Sequence, residues 1–178
     1  SFNRPSKSDL IIMLFGDKEL NFDIPRIMGI INITPDSFSD GGKFFSKEKS
    51  KIILSKVIQE IELMEKCGVS FIDIGAESTR PGSVSISEEE ELDRIIPVLE
   101  IIKDFNTVFS IDSSKPGVLK EAIKNGIGLI NDVNSLKDYE SKKEVKNSKL
   151  PICIMHKKGN SSKLNICQVR RCSNGPAL

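Results

Sequence analysis

The 178-residue sequence has no tryptophan, one tyrosine and a single histidine, His156. It contains neither a P-loop pattern nor GxGxxG, which excludes the two common glycine-loop nucleotide sites. Nothing in it resembles the nucleophile elbow of a serine hydrolase. The four cysteines, Cys67, Cys153, Cys167 and Cys172, form no CxxC pair. With one histidine and no HExxH, this argues against a structural zinc site and for reduced thiols in a cytoplasmic protein. No apolar run approaches the ~18 residues of a membrane span, and Leu10–Phe15 is too short for the core of a signal peptide. Charge of either sign is scarce in excess: 26 Lys+Arg against 25 Asp+Glu leave a net charge of +1. There is thus no general electrostatic reason to bind nucleic acid or an anionic membrane, and neither is expected as a partner.

What the chain does have is Ile/Val/Leu-rich segments at regular intervals, enough for a folded core. Leu10–Phe15 and Lys18–Phe22 flank Gly16-Asp17 and predict a β-hairpin with a type I′ turn, giving an N-terminal unit over 1–25. Beyond it, strand, loop and helix repeat. Arg26–Ile31 is a strand ending at Asn32. Ile53, Val57, Ile61 and Met64 give one buried stripe to a helix across Lys47–Cys67, closed by Gly68. Val69–Ile74 is the next strand, with Asp73 near its end. Ser87 and Glu90 form a capping box before a helix through Leu92, Ile95, Ile96, Leu99 and Ile102, and Pro97 inside it is expected to kink or break it. Thr107–Ile111 ends at Asp112. Pro116 opens a helix that Gly126 ends. Ile127–Ile130 runs into Asn131-Asp132, a Lys-rich helix follows around Tyr139–Asn147, and Pro151–Met155 ends at His156.

Strands alternating with helices imply an α/β fold around a parallel sheet. Asn32, Asp73, Asp112, Asn131 and His156 then fall at the same end of successive strands, where open α/β sheets and barrels alike bind ligands. One such residue is an ordinary turn-former. Five in consecutive units predict the rim of a polar pocket.

The segment Met28-Gly29-Ile30-Ile31-Asn32-Ile33-Thr34-Pro35-Asp36-Ser37-Phe38-Ser39-Asp40-Gly41-Gly42 is densely specified for a surface loop. It resembles the signature of the dihydropteroate synthases, the folate-pathway enzymes of the pterin-binding family. Phe71-Ile72-Asp73-Ile74-Gly75-Ala76-Glu77-Ser78-Thr79-Arg80-Pro81-Gly82 resembles that family's second loop. Ser110-Ile111-Asp112-Ser113, Ile130-Asn131-Asp132-Val133 and Met155-His156 resemble its third, fourth and fifth strand ends, in order. The resemblance spans about Arg26 to Gly159.

The resemblance implies a (β/α)8 TIM barrel, here about five parallel strands plus the hairpin, with a partial pterin-binding barrel over 26–159 and an irregular tail over 160–178. It implies transfer of the dihydropterin methylene from diphosphate to the amine of p-aminobenzoate, with Mg²⁺ as cofactor. By the same resemblance Asn32 would bind Mg²⁺ and diphosphate, and Asp112 and Asn131 would read the pterin. Val133 and Met155 would be apolar walls. Thr79, Arg80 and Pro81 would belong to a loop covering both substrates, with Asn32, Thr79 and Arg80 acting in catalysis. His156 matches a family histidine, with ligand contact and structural hydrogen bonding both open. The family is usually homodimeric, and this chain is expected to lack that interface.

The family's sixth to eighth strands have no counterpart here. A chain interrupted after the fifth βα unit is therefore expected, whether fragment, frameshift product or split protein, with an open sheet edge, marginal stability and impaired turnover. Two other functions remain open: a pterin-domain methyltransferase using methyltetrahydrofolate, and a non-catalytic fragment.

Overall fold

The computed structural model describes residues 11–35, 44–45, 52–78 and 85–155 and the backbone of 167–170. The hairpin comes first, β1 (Ile12–Phe15) and β2 (Lys18–Asn21), paired antiparallel with Phe15 opposite Lys18. Its turn departs from the expected type I′. Gly16 alone has positive φ (64°), the pattern of type II′, which spares Asp17 the left-handed region that side chains resist.

Five parallel strands follow in sequential order: β3 (Met28–Asn32), β4 (Phe71–Gly75), β5 (Val108–Asp112), β6 (Leu129–Asp132) and β7 (Ile152–Met155). The helices α1 (Leu54–Lys66), α2 (Glu88–Leu99), α3 (Pro116–Lys124) and α4 (Tyr139–Ser148) connect them. These are five of the strands of a (β/α)8-type barrel. An irregular tail was expected over 160–178, but Cys167–Arg170 forms β8, antiparallel to β7. It pairs backbone groups along an edge that β7 would otherwise leave open.

The pleat sorts the side chains. Ile31, Ile72, Ile74, Phe109, Ile111 and Ile130 face the helices and are buried against Val57 and Ile61 of α1, Ile95, Val98 and Leu99 of α2, Leu119 of α3 and Val145 of α4. The alternate residues face the barrel interior. At its amino end Phe71, Val108 and Leu129 are covered by the hairpin through Phe15, whose ring meets Phe71 edge-on at 4.9 Å. At the carboxyl end the interior face turns polar.

Two helix boundaries and one cap differ from expectation. α1 begins at Leu54 rather than Lys47, because Phe44 and Phe45 pack into the core and Ile53 N–H donates to the Phe44 carbonyl at 2.6 Å. α2 continues through Pro97 and stops at Leu99, and Ile102 starts a separate 3₁₀ turn. Only half of the capping box forms: Glu90 N–H donates to Ser87 Oγ at 3.1 Å, while the Glu90 carboxylate pairs with Arg94. Among the described residues no helix is long and apolar enough to cross a membrane.

The hairpin rests on Gly128, where an added β-carbon would stand 2.9 Å from both the Phe15 carbonyl oxygen and Val108 Cγ1. A backbone oxygen cannot rotate away. Gly128→Ala should therefore lift the hairpin and cost about 1–3 kcal/mol, the range for overpacking, measured as a lower urea midpoint.

Candidate active site at the carboxyl ends of the strands

The register places Asn32, Gly75, Asp112 and Asn131 opposite one another on β3 to β6. In parallel strands such partners share a face, so their side chains project into one cup. Asp73 faces the same side one pair lower, opposite Ser110. Gly75 is the gap in the row. A β-carbon there would stand 3.6 Å from Asp112 Oδ2 and 3.7 Å from Asn32 Oδ1, so these two oxygens flank a space that any larger residue would fill.

Four of the expected residues thus come together: Asn32, Asp112, Asn131 and, beneath them, Asp73. Asn131 Nδ2 donates to Asp73 Oδ2 at 2.9 Å, a contact joining strands 58 residues apart in sequence. Val133 follows β6 and Met155 ends β7; both are half-buried. The Met155 carbonyl accepts from Ser135 Oγ, which ties the two strand ends together. Thr79, Arg80, Pro81 and His156 lie outside the described residues.

The cup is strongly anionic. Burial, then repulsion from Asp73, Glu91, Asp132 and Glu77, pushes the Asp112 carboxyl up to about 7. Burial also raises Asp73, against the pull of the neighbouring Ser110 hydroxyl and Asn131 amide. Asp132 faces the other way. It is fully buried and raised by that burial, which is partly offset because its two oxygens accept from Asn134 N–H and Leu136 N–H, each at 2.7 Å. These bonds fold the loop through Ser135 and Leu136, both at positive φ.

Beside the cup stands a network that the motifs did not reveal. Lys115 Nζ donates to Glu77 Oε2 at 2.7 Å and to Glu91 Oε2 at 2.6 Å. Glu77 Oε1 also accepts from Ser85 Oγ at 2.6 Å and Ile86 N–H at 3.3 Å, closing the base of the β4–α2 loop. Burial pulls the Lys115 ammonium pKa down, but the two carboxylates outweigh it and hold the pKa above its ordinary value. One sequence signal pointed here. Lys115 sits at the N-cap of α3, where a cation opposes the helix dipole and therefore calls for carboxylates nearby.

Two clefts, of about 620 and 350 Å³, lie at the opposite end of the sheet around Lys18 and the hairpin turn. Their size does not make them sites. In the larger, Lys18 Nζ donates to the Thr107 carbonyl at 3.0 Å, and Glu65 Oε1 accepts from Asn106 N–H, Thr107 N–H and Thr107 Oγ1, so Lys18 and Glu65 are already engaged.

The sequence matches the family described as pterin binding enzyme over residues 28–172, past Gly159, where the motif resemblance ends. It is 44% identical over 144 residues to the dihydropteroate synthase of Haemophilus influenzae, covering 80% of this chain and 50% of that protein. The fold is similar to a crystal structure of the Yersinia pestis dihydropteroate synthase in a sulfonamide drug complex, with TM-score 0.75 and 39% identity over 84% of this chain and 52% of that one. It is similar also to the Xanthomonas albilineans dihydropteroate synthase with 4-aminobenzoic acid, with TM-score 0.69 and 36% identity over 83% of this chain and 53% of that one. The chain spans about half the length of these relatives.

Two measurements check the electrostatics. Lys115→Met leaves Glu91, 1% exposed, without its cation, and should lower stability by about 3–5 kcal/mol in urea denaturation, with Glu91→Gln in the same chain recovering much of the loss. For Asp112, the folded protein holds the proton more tightly than an unfolded chain does. Its contribution to stability is therefore present below the ordinary carboxylate pKa and lost as pH rises through about 7. Asp112→Asn escapes that loss, so its stability relative to wild type should be higher at pH 8 than at pH 5. Equal differences at the two pH values would contradict the assignment.

Proposed function

The chain belongs to the pterin binding enzyme family, and from that premise we propose that it is a dihydropteroate synthase, a transferase of folate biosynthesis. Its reaction joins 6-hydroxymethyl-7,8-dihydropterin diphosphate to p-aminobenzoate, giving dihydropteroate and diphosphate. The observation that carries this reading is the register row Asn32, Gly75, Asp112 and Asn131, which sets two carboxamides and a carboxylate on one face with no side chain between them at Gly75. The relatives' names and the 4-aminobenzoic acid bound to the Xanthomonas enzyme support it.

The chemistry follows from the groups present. The amine nitrogen attacks the pterin methylene, the carbon–oxygen bond to diphosphate breaks, and the amine loses a proton. Positive charge develops on the pterin side and negative charge on diphosphate. Asp112 answers the first: its carboxylate accepts ring N–H donors, which draw its raised pKa back down and set a full negative charge beside the developing cation. Asn131 adds an amide that donates and accepts along the same edge. Val133 and Met155 flank the ring, and Thr79, Arg80 and Pro81 would close over both substrates, with the arginine facing the departing anion.

Among the described residues no group of three or more His, Cys, Asp or Glu side chains could hold a metal. Asn32 Oδ1 offers one hard, neutral oxygen, which fits Mg²⁺ in its usual mode of taking its other oxygens from phosphate and water. Bound by Asn32, such an ion supplies positive charge to the leaving diphosphate.

A cytoplasmic location belongs to the same proposal. Calorimetry with the pterin diphosphate and Mg²⁺ tests the reading. Heat of binding is expected, and Asp112→Asn should weaken it by about 1.5–3 kcal/mol, the worth of a hydrogen bond to a charged group. No detectable heat would point to an inert fragment, and methyl transfer from methyltetrahydrofolate would point to the methyltransferases.

A further inference from the structure

Among the described residues only two buried side-chain polar atoms lack a hydrogen-bond partner, Asp73 Oδ1 and Ser110 Oγ. They are register partners on the cup-facing side of β4 and β5. Asp73 is 5% exposed and Ser110 is fully buried. Setting a carboxylate under Asp112, itself a carboxylate, is costly, and the chain uses Leu129 beside Ser110 in the same row and Phe71 and Val108 one pair further down the same face. Asn131 reaches Asp73 from β6, and its Nδ2 donates to Oδ2.

A carboxamide has two flips of nearly identical shape that exchange its acceptor and donor ends. Only a neighbour can choose between them. Opposite Asp73 the flipped amide would set Asn131 Oδ1 against a carboxylate oxygen, so the observed orientation is the only one that avoids two facing acceptors.

We propose that Asp73 is a positioning residue: by accepting the Asn131 Nδ2 bond it locks the carboxamide, and so fixes which donor and acceptor pattern the cup presents to a flat heterocycle. One Asn131 N–H is committed to Asp73. Oδ1 and the second N–H remain, a neighbouring acceptor and donor that match a ligand edge with an N–H beside a ring nitrogen or carbonyl. A heterocycle with the reverse order leaves both groups unpaired and is rejected. The identity of the heterocycle rests on the pterin reading above; the lock is a property of the free protein.

The test uses the whole chain, its Asp73→Leu variant (similar volume, no acceptor) and Asp73→Asn (a carbonyl able to accept the same bond). ¹⁵N NMR follows hydrogen exchange of the Asn131 side-chain amide, assigned by its loss in Asn131→Asp. Calorimetry measures affinity for 6-hydroxymethyl-7,8-dihydropterin. In wild type one amide proton should exchange slowly. Asp73→Leu should speed that exchange and weaken binding, each about tenfold or more, the effect of one lost hydrogen bond to a charged group, while Asp73→Asn stays within about threefold of wild type. An unprotected Asn131 amide in wild type overturns the proposal, whatever the variants do. Where wild type gives heat, equal affinities for Asp73→Leu and Asp73→Asn also overturn it, because a merely structural or purely charged role would not separate them. A protected amide released in Asp73→Leu, with no pterin heat in any chain, supports the lock and refutes the pterin reading.

Discussion

The parallel register from β3 to β6 is the constraint on which the site depends. It pairs Asn32 with Gly75, Gly75 with Asp112 and Asp112 with Asn131, so three polar side chains and one gap stand in a single row across strands that are far apart in sequence. Because side chains alternate, the same register sends Ile31, Ile74, Ile111 and Ile130 to the helices. A slip of one residue in any strand would bury an Asn or Asp against α1 to α4 and expose an isoleucine in the cup. Core packing and site geometry are therefore one selection: the apolar half of each pleat holds the polar half in place.

That arrangement concentrates charge of one sign. Asp73, Glu91, Asp132 and Glu77 all press on Asp112, whose raised carboxyl records first its burial and then this crowding. Lys115 answers part of it, but spends its charge on Glu77 and Glu91 rather than in the cup. What remains favours a ligand rich in N–H donors over the row itself.

Much of this was legible from the order of residues. Strands ending in Asn32, Asp112 and Asn131 announce their shared edge through the change from apolar to polar, and the alternation of strand with helix implies their parallel pairing. The Asp73–Asn131 bond was not legible, since sequence places Asp73 at a strand end but not one pair below its neighbours, within reach of an amide 58 residues away. Lys115 carried only the oblique signal of a cation at a helix start. The start of α1 was hidden because Ile53 continues the helical period, yet Phe44 and Phe45 claim the core and capture its N–H. β8 lies in text with no period of its own; a strand of four residues paired along an edge needs backbone alone.

The two polar layers outside the apolar core perform different work, and the distinction follows from what each group can still exchange. Glu77, Lys115 and Glu91 satisfy one another and join the loop after β4 to the start of α3 and to α2, so their hydrogen bonds are spent on holding the rim. Asn131 spends one N–H on Asp73 and keeps the rest, and Asp112 has no described side-chain hydrogen bond of its own. A buried group left short of partners is expensive unless something else completes it. In this fold the expense falls at the cup and not at the rim. Support is saturated and recognition is not, which is the pattern of a site whose last hydrogen bonds are made by what it binds.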